Sequence, residues 1–161
     1  MRKLTVCWHL SARHTTRPSD VNERLLDESK RAEGSVIRDG RHQVYQDSLG
    51  LDTVGYGRLV SRGFSQDEVE LMLENDISDA VEDANKYPWF SGLDEVRQDV
   101  VTSMLFNMGA PRFDGFKLMI LALSRHDYDE AAHQMEASLW ANQVKGRATR
   151  YATIMRTGAW Q

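Results

Sequence analysis

Residues 33–58 read EGSVIRDGRHQVYQDSLGLDTVGYGR, and the turn formers spaced along them decide the fold. Two short strand-like runs, SVIR (35–38) and RHQVY (41–45), flank Asp39-Gly40. An Asp-Gly pair in that place predicts a hairpin, because a type I′ turn needs positive φ at both central residues. After the turn formed by Asp47, Ser48, Leu49 and Gly50, residues 52–60 are expected to add a third strand and complete one small antiparallel sheet. A sheet of this size is marginal without helices packed beside it. Glu33-Gly34, just ahead of the hairpin, fits a helix end with glycine in the cap position.

Upstream, residues 1–18 show no sustained period and contain the helix-discouraging Arg17-Pro18 step, so a poorly ordered extension is expected. Asp20 with Glu23 three residues on has the form of a capping box. Val21, Leu25, Leu26, Ser29 and Ala32 then line one side of a helix that carries Glu33 in its last turn. An acid there opposes the helix dipole, and local propensity gives no reason for it.

Downstream, Ser65 and Glu68 form a second capping-box pattern, and Val69, Met72, Leu73, Ile77, Ala80, Val81 and Ala84 recur at helical spacing to about Lys86. Pro88 and Gly92 mark a break. Residues 94–108 carry Val96, Val100, Val101, Met104, Leu105 and Met108 around more than half of a helix, which predicts the central core element. Further helices are expected over 116–123, 128–137 and 147–155. The class is therefore α+β, predominantly α. Its expected division is an extension (1–18) and one domain (19–161), the latter comprising a helix and β lobe (19–64), a linking helix (65–86) and a helical lobe (87–161).

Composition narrows the function. A chain of 161 residues builds one good core, and no apolar run approaches the roughly 20 residues that span a bilayer. The basic start is followed by an apolar stretch broken at Thr5 and His9, too weak for a signal peptide. Cys7 is the single cysteine, which rules out an intrachain disulfide. Net charge is −4, but unevenly spread. Residues 66–100 hold eleven acids against Lys86 and Arg97, while residues 137–161 hold four bases and no acid. Such basic flanks could attract an anionic polymer, while the plainer reading makes them solvated helix faces and a loose tail; neither a nucleic-acid partner nor membrane insertion is expected.

The chemistry lies in the opening stretch. Cleaving a glycosidic bond takes one carboxyl to protonate the leaving oxygen and one carboxylate to handle water or the sugar cation. Glu33, at a helix end against the sheet, is expected to be partly buried, which would suit the acid. Asp47, in a turn, is expected to be wetter. Thr53, six positions on, has a hydroxyl to hold a water. On their own a Glu at a helix end and an Asp in a turn are more often structural. Asp39 is a third acid of similar standing, though its pairing with Gly40 is better explained by the hairpin corner.

Several strings in order carry a family resemblance: Glu33-Gly34, YQDSLG (45–50), TVGYG (53–57), SMLFNMG (103–109), Phe116, YDEAA (128–132), SLWANQ (138–143), Arg147 and RTGAW (156–160). Over residues 20–160 the chain resembles the phage T4-type lysozymes, glycoside hydrolase family 24. The resemblance implies a small sheet lobe joined by a long helix to a helical lobe, with the active cleft between them. It implies Glu33 as general acid, Asp47 as the base or electrostatic partner acting with a water, and Thr53 as the residue placing that water. Inversion follows, with carboxyls about 6.5–9.5 Å apart. The implied substrate is the β-1,4 bond between N-acetylmuramic acid and N-acetylglucosamine in peptidoglycan. Leu59, Phe106 and Gln134 fall at substrate-contacting positions, and Arg147 at that of an arginine pairing with the catalytic Glu. No cofactor or metal is implied. The expected form is a monomeric endolysin made in the host cytoplasm and acting on the wall in the periplasm after release.

The departures are specific. Glu33 lies fourteen residues before Asp47, further than in most relatives, and Asp39-Gly40, eight before, is an alternative register. Arg58 replaces a common His, and Gln134 and Met119 differ in type from the sugar-contacting residues of relatives. Two other functions stay open: a lytic transglycosylase on the same bond, and an inactive lysozyme-fold module that binds wall. Other motifs fail. Gly55-Tyr56-Gly57 lacks the context of a dinucleotide loop. The five histidines lack ligand spacing. Trp89, Trp140 and Trp160 read as packing residues.

Overall fold

The computed structural model describes residues 22–160, so the expected extension, Cys7 and the capping Asp20 lie outside the described residues. Helix α1 (Glu23–Glu33) begins at Asn22, whose side chain accepts a hydrogen bond from the Arg24 N–H at 2.9 Å. This corrects the expected capping box: Glu23 is the first helical residue, too early to reach back to a cap, and Asn22 is itself a strong cap closer to the helix. Gly34 ends α1 with φ 64°, its N–H donating to the Lys30 carbonyl.

The polypeptide divides into two compact units between Val69 and Glu70, inside the long helix α2 (Gln66–Asn85). In the first unit, β1 (Ile37–Arg38) and β2 (Arg41–His42) pair antiparallel around Asp39 (φ 51°) and Gly40 (φ 73°), the turn expected from the sequence. Two expectations fail beyond it. The run RHQVY does not stay in one strand. After Gln43 N–H bonds the Val36 carbonyl, the chain leaves β1, and β3 (Tyr45–Gln46) pairs instead with β4 (Asp52–Val54). Residues 52–60 are not one strand either. Gly55 (φ 60°) and Gly57 (φ 83°) turn the chain back into β5 (Arg58–Leu59), so the single sheet becomes a two-stranded and a three-stranded one.

A short 3₁₀ turn over Val60–Arg62 leads to the start of α2, where the capping box is reciprocal. Ser65 N–H donates to Glu68 Oε2 at 2.7 Å and Glu68 N–H to Ser65 Oγ at 3.4 Å.

In the second unit, α3 (Glu95–Met108) is the core element predicted, capped by Asp94, which accepts from the Arg97 N–H at 3.1 Å. Around it lie α4 (Ala110–Phe113), α5 (Lys117–Ser124), α6 (Tyr128–Glu136), α7 (Leu139–Val144) and α8 (Gly146–Thr157). The short α4 and α7 lacked enough length to show a period. Val100, Met104, Phe113, Leu123, Met135 and Ile154 are fully buried between these helices. Arg97 closes this core: its Nε donates to the Met155 carbonyl at 2.7 Å, Nη2 to that of Arg156 at 2.9 Å, and its plane stacks 3.7 Å over Tyr128. Among the described residues no helix is long and apolar enough to cross a membrane.

Candidate active site

The first unit supplies all three residues expected to do chemistry. Glu33 is the last residue of α1, and its side chain reaches the β4–β5 turn. A Cβ built on Gly57 would stand 3.2 Å from Glu33 Oε2 and 3.7 Å from Cδ. A side chain at 57 would therefore press on the carboxyl, which would have to give by a few tenths of an ångström. Glu33 is nevertheless exposed, which corrects the expected partial burial: α1 buries no residue, so its end is not sunk in a core.

Asp47 follows β3 and organises the loop to β4. Its Oδ1 accepts from the N–H of Leu49 at 2.8 Å and of Leu51 at 2.9 Å, while its own N–H donates to the Leu51 carbonyl. One carboxylate oxygen is thus spent on the turn, and the group's direction is fixed by backbone. Asp47 is half-buried.

Thr53 sits in the middle strand of three, opposite Tyr45 on one side and Leu59 on the other. It is 2% exposed. Its hydroxyl donates to the Leu51 carbonyl at 3.1 Å, so that proton is committed and the oxygen has lone pairs to offer. A water at Thr53 would be held as a donor. Leu59 is its register partner, half-buried. Asp39, the competing acid, is an exposed residue at the hairpin corner.

Two further residues support this turn. Arg58, next to Gly57, bonds Glu68 through Nη1, donates from Nη2 to the Gly63 carbonyl at 2.6 Å, and lies 5.0 Å over the Phe64 ring. The Ser65 backbone N–H, then the Ser65 hydroxyl and Arg58, hold the Glu68 carboxyl below its ordinary range. His42 on β2 meets Tyr56 of the turn edge-on at 5.4 Å, tying the hairpin to it. The sequence had shown Glu68 only as a helix cap and Gly57 only as a turn residue; the GYG string signals the turn but neither contact.

The remaining expected residues belong to the second unit. Phe106 on α3 is 46% exposed, beside a small recess of about 230 Å³ lined by Asp76, Asp79 and Asp83. Gln134 on α6 lines a groove of about 880 Å³ with Asn107, Lys117, Ser138 and Trp140, its amide donating to Glu130 at 2.8 Å. Among the described residues no carboxyl lines this groove, so it has no acid to donate a proton. Trp140 is buried and bonds Asn107 at 2.8 Å, as a packing residue should, whereas Trp160 is 47% exposed. Met119 is buried in α5. Arg147 is exposed in the first turn of α8. Among the described residues no three His, Cys, Asp or Glu side chains group so as to hold a metal ion.

The family model described as phage lysozyme matches residues 30–156. A probable T4-type lysozyme 1 of Dictyostelium discoideum is 24% identical over 147 residues, covering 72% of this chain and 86% of the relative. Probable T4-type lysozyme 2 of the same organism is 24% identical over 165 residues, 83% of this chain and 94% of the relative. The pre-baseplate central spike protein Gp5 of Enterobacteria phage T4 is 26% identical over 148 residues, 73% of this chain but only 26% of that larger protein.

Proposed function

The chain belongs to the phage lysozyme family, as a lysozyme-type enzyme, and on that premise we propose that it hydrolyses the β-1,4 bond between N-acetylmuramic acid and N-acetylglucosamine in peptidoglycan. Glu33 is the general acid. Its proton passes to the glycosidic oxygen as the bond from that oxygen to the anomeric carbon breaks. The attacking water donates one hydrogen bond to Thr53 Oγ1, whose own proton is committed to Leu51, and the other to Asp47. Held by both hydrogens, the water turns a lone pair toward the anomeric carbon. As the new bond forms, Asp47 takes the water's proton, and the product has inverted configuration.

The observation that supports this reading is the Glu33 carboxyl lying against Gly57, in the turn that joins the Thr53 strand to its partner. Asp39, by contrast, is an exposed residue at the hairpin corner. Leu59, Phe106, Gln134 and Arg147 contribute to substrate binding in this proposal. The enzyme acts as a single chain, made in the host cytoplasm and reaching the wall after a separate protein permeabilises the membrane.

The test is product analysis on purified peptidoglycan. Free reducing ends that first appear as the α-anomer by NMR are expected. A first-formed β-anomer contradicts inversion, and anhydro-sugar ends identify a transglycosylase. Sedimentation with the wall but no release identifies a binding module.

A further inference from the structure

Gly55 and Gly57 flank Tyr56 in the same turn, and both hold positive φ, at 60° and 83°. Their surroundings differ. Among the described residues, nothing beyond its chain neighbours lies within 4 Å of a Cβ built on Gly55, whereas one on Gly57 meets Oε2, Cδ and Cγ of Glu33 at 3.2, 3.7 and 3.9 Å. Backbone conformation alone accounts for glycine at both positions, and at 57 the Glu33 carboxyl adds a second constraint. The obstructed atoms at 57 belong to the far end of a flexible side chain, so a substitution there displaces the carboxyl rather than the backbone. The turn is the less yielding partner. Val54 and Arg58 are paired across it, and Arg58 is fastened to Glu68, the Gly63 carbonyl and the Phe64 ring.

We propose that Gly57 is a positioning residue for the general acid, setting where the Glu33 carboxyl rests by having no side chain. The inference rests on the reading of Glu33 as the acid. A carboxyl pushed aside by a few tenths of an ångström still leaves substrate-binding groups untouched. The expected signature is a lower kcat at unchanged KM. Since a misplacement of 1 Å can cost about 10²-fold, a loss of about tenfold is expected here.

The experiment compares Gly57→Ala and Gly55→Ala in the full chain, on soluble peptidoglycan fragments, with thermal melting of each. Both variants put an L side chain in the left-handed region and should lose similar stability. Only Gly57→Ala should lose kcat. Gly57→Asn tolerates positive φ better but carries the same Cβ, so it should be more stable than Gly57→Ala and equally slow. In a Glu33→Gln background, Gly57→Ala should remove no further activity. Full kcat in Gly57→Ala, an equal kcat loss in Gly55→Ala, or a further loss in the Glu33→Gln background would each overturn the inference. Normal turnover by Glu33→Gln would instead overturn the reading of Glu33, and this inference with it.

Discussion

Thr53 is the one buried side chain among described residues 22–69, whereas the unit from residue 70 onward buries twenty apolar side chains. The two units are held by different physics. The helical unit rests on apolar burial around α3, at roughly 25 cal/mol per Å² removed from water. The first unit rests on directed contacts: the Asp39-Gly40 corner, the two N–H bonds to Asp47 Oδ1, and the Arg58 fastening. Each such bond is worth about 1 kcal/mol, so this unit gains little stability but fixes a few side chains in direction. Proposed chemistry and stability are thereby divided between the units, and mutations should separate them.

The largest expected effect falls on stability. Met104 is fully buried on α3, and Met104→Ala should cost about 2–5 kcal/mol in denaturant unfolding. Below its transition, kcat should be unchanged. A parallel fall in kcat would break the division. Next is Thr53→Val, which keeps the shape but removes the oxygen proposed to hold the water. About a 10²-fold loss of kcat is expected, with Thr53→Ser close to wild type. If Val at 53 turned over normally, the buried hydroxyl would serve the strand and not the reaction.

The smallest effect concerns Glu68, whose carboxyl lies below its ordinary value of 4.5. A lowered folded-state value contributes stability above the ordinary value that is lost as pH falls through the folded one. Glu68→Gln should therefore melt a few degrees below wild type at neutral pH, with the gap closing in acid. A gap independent of pH would assign the loss to the Ser65 cap geometry instead.

Local chemistry was legible in the sequence, and contacts between distant residues were not. The Asp39-Gly40 corner, the Ser65/Glu68 box and the α3 core each depend on residues within one or two turns of each other. The α+β class followed from these. The division of 41–46 between two sheets was hidden, because it depends on whether residues 36 or 53 compete better for pairing. Asn22, which the sequence had not marked as a cap, starts α1 with Glu23 as its first helical residue. The contact between Glu33 and Gly57 joins residues far apart in sequence, and the GYG string announces a turn without saying what rests on it. Glu33 itself was legible as an acid out of place at a helix C-terminus; its exposure was not.

The most direct test of the account is turnover of purified peptidoglycan by wild type, Glu33→Gln and Asp39→Asn, measured as reducing ends released per enzyme. With Glu33 as the acid, its replacement should lower kcat about 10³-fold or more without changing the melting temperature, and Asp39→Asn should stay near wild type. Normal turnover by Glu33→Gln together with collapse in Asp39→Asn would contradict it and move the acid to the hairpin corner.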